Sequence, residues 1–325
     1  MVASDLVSQI YSDTLIFLEE RGFLPKLRKT LSDESIDDRM NRIDIKSSGL
    51  DTIDAVHCVL DTNRTLAFMH AIEQSVKPGD IVVEAGAGTG ILAIFAAALQ
   101  ANVYGIEINE ETLSMAQDLA ESFFRKGILD KKNLHLIPAD ARLWTPPEKI
   151  DVIISENIYA GMFYEMQVPI MNHLLTFLDS FGRVVPSSMQ SYIILSETEL
   201  PRGQEHGNSF SNSEAEGRIY AYKELSDPIL YDEINFYRND FADCRGNFRI
   251  PIKKSGFINS LIIYSPINVG PNIVLQRQDM IFMGEDIFIV IDPPIQIEEG
   301  STVNLNIAYE RGCNPEEGFY KITNF

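Results

Sequence analysis

Tryptophan occurs once, cysteine three times and histidine five times in these 325 residues. The side chains that most often bind metals or cross-link a chain are therefore scarce. Cys58, Cys244 and Cys313 are odd in number and form no CxxC pair, which argues against a disulfide framework and against a thiolate zinc site. His57, His70, His135, His173 and His206 stand at no metal-ligand spacing, and no metal is expected. Base is also in short supply: 27 Lys and Arg face 47 Asp and Glu, for a net charge of −20. Such a field opposes phosphate backbones and anionic lipid, so neither a nucleic-acid nor a membrane partner is expected, and cationic substrates suit it better. The same acidity also serves solubility alone. The N-terminal MVASDLVSQIYSD lacks a basic stretch leading into a long apolar one, so no signal peptide is expected. The longest apolar stretch, Gly90 to Ile106, is interrupted by Gln100 and Asn102 and reads as a helix running into a strand rather than a membrane span. A reducing, cytoplasmic location is the expectation.

What the chain does have is apolar material for a real core, at 45% hydrophobic and 10% aromatic residues, arranged in three styles. Residues 1–50 carry a helical amphipathic pattern and predict a flap packed on the neighbouring domain. Residues 51–186 alternate short β-branched runs (DIVVEAG, NVYGIEI, NLHLIPA, KIDVIIS, GRVVPS) with helical segments (ILAIFAAALQ, EETLSMAQDLAESFFRKG, YEMQVPIMNHLLTFLDSF). That spacing predicts an α/β, Rossmann-like, doubly wound domain on a mostly parallel sheet. Residues 187–325 hold short strands with hardly a helical period, predicting an all-β, barrel-like second domain. Pro201 to Gly217 is polar and Gly/Ser-rich and reads as an exposed loop.

Within the α/β region, Gly86, Gly88 and Gly90 lie between a strand and a helix, as in turns that let a nucleotide approach the backbone. The pattern is GxGxG with Glu84 two residues ahead, whereas dinucleotide sites seat a pyrophosphate on GxGxxG. A carboxylate there repels pyrophosphate and welcomes an amino or sulfonium group. Glu107 ends the next strand, about 20 residues beyond the loop, where an acid takes ribose hydroxyls. Asp140 ends the strand after that, placed to accept from an adenine amino group while the Ala141 backbone N–H donates. EAGAGTG, Glu107 and Asp140 together resemble the cofactor motifs of class I S-adenosylmethionine methyltransferases. The resemblance implies S-adenosylmethionine as cofactor and S-adenosylhomocysteine as product.

The stretch IISENIYAGMFYEMQ sets Glu156 at a strand tip and Glu165 nine positions later, beside Tyr159, Phe163 and Tyr164. Such a pair suits a solvated helix edge or a site that grips a cation. SENIYAGMFYE resembles the double-glutamate loop of protein arginine methyltransferases, and Asp61, Arg64 and Thr65 in LDTNRTLAF match that family's Asp-x-x-Arg-Thr segment. The resemblance implies that Glu156 and Glu165 are catalytic, that Arg64 pairs with the cofactor's carboxylate beside Glu156, and that a homodimer is possible. Two carboxylates can hold a planar guanidinium bidentately and aim its free nitrogen at the methyl group. Departures from the family pattern are Asn157, Ile158 and Tyr159 in place of Trp-Met-Gly, Gln167 in place of a methionine, and no cofactor-covering tyrosines in NRIDIKSSGL. Leu275, Gln276 and Arg277 stand in place of Thr-His-Trp. Tyr159, Tyr164, Gln276 and Arg277 are then the candidate acceptor contacts, with Arg277 able to repel a guanidinium or to bind an acceptor's carboxylate. The acceptor is expected to be a guanidino or amine small molecule or an arginine-containing protein. A hydroxyl or carboxylate acceptor, and a non-catalytic cofactor-binding partner subunit, are the alternatives.

Overall fold

β1 (Ile81–Ala85), β2 (Asn102–Glu107), β3 (Leu134–Pro138), β4 (Ile150–Ser155) and β5 (Leu178–Val185) form one sheet in the order β3-β2-β1-β4-β5, and every pairing in it is parallel. The central β1 is β-branched and buried along almost its whole length, as a strand covered on both faces must be. In this computed structural model the described residues are 3–33, 49–200, 209–211, 221–280 and 286–324.

Helices cover the sheet. α1 (Ala3–Glu20) and α2 (Phe23–Asp33) are separated by Gly22 at φ 78°. They bury Val7, Ile10, Phe17, Leu18, Leu24 and Leu27 in the same core as the sheet. α3 (Thr52–Leu60) and α4 (Thr62–Ser75) come next, capped by the carboxylates of Asp51 and Asp61 on backbone N–H groups of their first turns, which satisfies donors that a helix leaves open. α5 (Ile91–Ala98) is buried on nearly every side. α6 (Glu110–Arg125) buries one stripe that includes Leu113, Ala116, Leu119 and Phe123, begins on an Asn109 cap with two acids in its first turn, and ends on Arg125, the charge order its dipole favours.

The segment YEMQVPIMNHLLTFLDSF, expected as one helix, is shorter as a helix and ends as a strand. α7 spans only Gln167–Leu174, a 3-10 turn covers Leu175–Phe177, and β5 already begins at Leu178. Left-handed backbone at Met162 and Tyr164 keeps the helix from starting earlier. At the other end Leu178 pairs with Ile150 before the register shifts, while Phe181 stands 89% exposed at the sheet's edge.

From β6 (Ser188–Thr198) onward the pairing is antiparallel. β6 is the axis of an eight-stranded sheet, flanked by β11 (Gly256–Tyr264), β12 (Ile267–Gly270), β8 (Tyr222–Glu224) and β9 (Ile229–Asn235). β14 (Ile287–Ile297) pairs with β11 and with β7 (Ser209–Ser211), and β13 (Ile273–Leu275) with β12. β10 (Asp243–Pro251), β15 (Thr302–Glu310) and β16 (Phe319–Asn324) make a second sheet. Ile193, Leu195, Leu261 and Ile263 of the first and Ile250, Leu305 and Ile307 of the second share one core, which gives the barrel-like C-terminal region the sequence predicts. This region is fastened to the α/β part: a Cβ on Gly270 of β12 would lie 2.9 Å from Ala71 of α4, and Ile267, Val269 and Leu275 belong to the first core. Most of NRIDIKSSGL and most of the loop Pro201 to Gly217 lie outside the described residues.

Candidate active site

Strand order reverses between β1 and β4, and a crevice opens outside the carboxyl ends of parallel strands at such a point. Along that edge the sheet presents Asp140 just after β3, Glu107 at the end of β2, the glycine loop after β1 and Glu156 after β4. Three strand spacings separate the first from the last, roughly 14 Å at the usual interval. One cavity touches all four, and Gly49, Leu50, Cys58, Arg64, Arg142, Glu165 and Met166 line it as well.

The glycines serve three different ends. Gly86, Gly88 and Gly90 all have positive φ. A Cβ on Gly86 would collide with the Asn157 amide, which itself donates to the Ala85 carbonyl at 2.7 Å and to the Ser155 hydroxyl at 3.0 Å. Gly90 starts α5 in left-handed backbone, with a Cβ there 3.1 Å from Ala116 of α6; it does not line the cavity. Gly88 does, and a Cβ on it would meet only Ala55, at 3.7 Å. Close approach of a ligand is thus a reason for glycine at 88, while protein packing explains 86 and 90.

Glu107 accepts the Gly88 N–H at 2.9 Å on one oxygen and the Asn109 N–H at 2.8 Å on the other. Burial raises its pKa against the pull of those N–H groups, and each oxygen keeps acceptor capacity for a diol. Glu84 accepts the Ala93 N–H in the first turn of α5 at 2.9 Å and is 2% exposed. Burial holds its pKa well above the usual carboxylate range, and it lines the cavity under the loop. Asp140 is gripped by Arg142, whose Nε lies 2.9 and 3.0 Å from its two oxygens and whose backbone N–H donates at 2.9 Å. Those bonds hold Asp140 below the ordinary carboxylate range. Arg142 went unnoticed in the sequence, where nothing but its place two residues after Asp140 marks it. Ala141 lines the cavity beside them.

At the other end, Arg64 is 2% exposed and donates to Glu156 and, at 3.1 Å, to the Ile158 carbonyl. Its guanidinium thereby joins the two ends of the Glu156–Ile158 segment while also lining the cavity. Asp61 of the same motif accepts the Arg64 N–H as the cap of α4. Glu165 is 5% exposed, and its pKa is raised to about 7, chiefly by burial and further by Glu107 and Asp54, against the opposing pull of Arg64 and the Met166 N–H. Cys58 lies close enough to feel Arg64 and Glu165, and burial pushes its thiol up to about 12.

Glu156 and Glu165 reach one cavity because the intervening backbone doubles back. Gly161, Met162 and Tyr164 have φ of 67°, 57° and 59°, the left-handed region that costs a non-glycine residue about 1 kcal/mol or more. Gln167, fully buried, anchors the loop's base: its oxygen accepts from the Ser155 hydroxyl at 2.8 Å and the Asn157 N–H at 3.1 Å, and its Nε2 donates to the Ser155 carbonyl at 2.8 Å. Asn157 and Gln167, two departures from the family pattern, are therefore partners of each other.

The four candidate acceptor contacts lie elsewhere. Tyr159 is 2% exposed in the barrel core, edge-on to Tyr164 at 5.0 Å, because its flanking glycine turn drives both rings into that core. Gln276 caps the short helical turn Arg277–Asp279. Arg277 pairs with Asp286, donates to Tyr222 at 2.9 Å and sits 4.6 Å over the Tyr264 ring. None of the four lines the cavity. Of the histidines, His57 is buried on α3, His70 faces Glu73, His135 stacks on Tyr104, His173 bonds the Trp144 carbonyl, and His206 lies outside the described residues. Trp144 tilts against Tyr104. Among the described residues no group of three or more metal-ligating side chains could hold a metal, and no helix is long and apolar enough to cross a membrane.

A parallel sheet with its acids arrayed in this order is the fold of a class I S-adenosylmethionine-dependent methyltransferase, and residues 76–234 match the family described as a methyltransferase domain. The chain resembles the protein arginine methyltransferases in particular. It is 33% identical over 145 residues to protein arginine N-methyltransferase 1 of Dictyostelium discoideum, covering 43% of this chain and 40% of that one. It is 29% identical over 146 residues to protein arginine N-methyltransferase 9 of Xenopus laevis, covering 41% of this chain and 17% of that one. An uncharacterized protein of Methanocaldococcus jannaschii is 28% identical over 197 residues, 60% of this chain and 70% of that protein. The alignments thus span less than half the length of the arginine methyltransferases.

The matched domain implies S-adenosylmethionine as methyl donor, and the residues fit it. The edge runs from Asp140 and Arg142, through a Glu107 carboxylate with acceptor capacity to spare, past Gly88, to the cationic Arg64. That is the order of purine, diol and amino acid in the molecule.

Proposed function

We propose that this protein transfers a methyl group from S-adenosylmethionine to a nitrogen of a guanidino or amino compound. One observation supports it above the others: two carboxylates nine residues apart, Glu156 and Glu165, line a single cavity with Arg64 and the glycine loop. The cofactor supplies an electrophilic methyl when bound. Glu165 binds the acceptor cation and, once ionised, orients its N–H groups. Glu156 does the same from the opposite end of the loop, its charge shared with Arg64. Burial of Glu165 and partial burial of Glu156 make their hold on a cation stronger than it would be in water. Arg277, which the sequence left as a hint of a small carboxylate-bearing acceptor, lies off the cavity and no longer favours a metabolite over a protein.

The test is transfer of label from methyl-labelled S-adenosylmethionine to free arginine, to a glycine-arginine-rich peptide and to a small-metabolite extract, with Glu165→Gln as control. Label on a guanidino or amino nitrogen, lost in the variant, is the expected result. Label only on hydroxyl or carboxylate products would sink it.

A further inference from the structure

The apex of the double-glutamate loop is held by two pairs of hydroxyls from the barrel. The Gly161 N–H donates to the Ser265 hydroxyl at 2.9 Å, and Ser265 meets the Ser191 hydroxyl at 2.8 Å. The Tyr231 hydroxyl lies 3.1 Å from that of Tyr309, and Tyr309 donates to the Gly161 carbonyl at 2.7 Å. All four side chains are buried.

A carbonyl only accepts, so the Tyr309 proton lies on Gly161, and Tyr231 must then donate to Tyr309. Burial also holds both tyrosines well above their usual pKa, so they stay protonated donors. Downstream of Gly161 the barrel keeps its grip: the Gly312 N–H donates to the Met162 carbonyl at 2.7 Å, and the Tyr164 N–H to the Cys313 carbonyl at 2.9 Å. These bonds pin the left-handed residues that immediately precede Glu165.

We propose that Ser191, Ser265, Tyr231 and Tyr309 are positioning residues for Glu165, acting through the Gly161 peptide, so that the barrel sets where the acceptor carboxylate stands. The proposal rests on the methyl-transfer role of Glu165. Its test reads the carboxylate directly as well as through turnover. With carboxyl-carbon-labelled glutamate in the full chain, the Glu165 resonance is assigned by its absence in Glu165→Gln and titrated in wild type, Tyr309→Phe and Ser265→Ala.

In wild type the midpoint is expected near about 7. In each variant it falls by about a unit as the loosened loop admits water to Glu165. Where transfer to a nitrogen acceptor is measured, kcat falls ~10- to 100-fold, the scale of a misplaced group, while affinity for S-adenosylhomocysteine stays within about twofold of wild type. Folded variants with an unmoved midpoint overturn the proposal, and so does unchanged kcat. If Tyr309→Phe does not fold, Ser265→Ala, which removes one oxygen, decides by the same readout. A wild-type chain that methylates no nitrogen acceptor defeats the proposed function, and the titration still decides the positioning.

Discussion

Gln167 and Asn157 are joined through the Gln167 Oε1, which accepts the Asn157 N–H at 3.1 Å and the Ser155 hydroxyl at 2.8 Å. A methionine at 167 could make neither bond. Asn157 in turn occupies the space that a side chain on Gly86 would need. The base of the acceptor loop and the cofactor turn are thus one hydrogen-bonded unit, and changing either residue alone leaves buried polar groups without partners.

Gln167→Met is therefore expected to destabilise the fold by about 2 kcal/mol, the cost of stranding buried polar groups. Thermal unfolding of the two proteins at one pH checks this, and equal midpoints would refute the role given to the amide.

Glu165 sets a pH dependence. Its folded-state pKa, about 7, lies above the ordinary 4.5, so it contributes stability that is fully present below about 4.5 and is lost as pH rises through about 7. Glu165→Gln removes this slope and makes the cofactor-free protein more stable than wild type at pH 8, by roughly 1 to 3 kcal/mol. Denaturant unfolding at pH 4.5 and pH 8 measures the difference; a variant less stable than wild type at both would contradict the buried-carboxyl assignment.

The same ionisation controls the acceptor. Binding of a cationic acceptor should strengthen as pH rises through about 7, with uptake of the cation releasing a proton from Glu165. Calorimetry in buffers of different ionisation enthalpy counts that proton. Affinity that weakens over the same interval would speak against a cation clamp.

Arg64→Ala leaves the part-buried Glu156 carboxylate without its partner, a loss of about 1 to 3 kcal/mol. S-adenosylhomocysteine affinity is also expected to fall at least tenfold, read by titration calorimetry on the folded fraction. Cofactor affinity within twofold of wild type would remove Arg64 from the cofactor site.

Arg277→Ala supplies the opposite case. Arg277 is committed to Asp286 and Tyr222 and lines no part of the cavity. The variant should lower stability, since Asp286 is 8% exposed, and leave the acceptor KM unchanged. A KM shifted several-fold would return Arg277 to the acceptor site.

Local patterns carried far in this chain. β-branched runs alternating with helical periods specify a parallel sheet because both faces of its strands must be buried, and GxGxG with Glu107 and Asp140 at the next strand ends marks the cofactor edge by chain order alone. The two glutamates are legible for the same reason: a strand tip and a spacing are local facts. What sequence could not decide depends on which distant groups meet. Gly86 and Gly90 are small to admit Asn157 and Ala116, Asp140 is clasped by Arg142, Arg64 by Glu156, and Arg277 turns away from the cavity. The helix written into YEMQVPIMNHLL begins late because barrel groups hold Met162 and Tyr164 in left-handed backbone that no local propensity favours. Hydrogen bonds and desolvation act through space, so the charge state and aim of Glu165 exist only once the barrel closes over its loop.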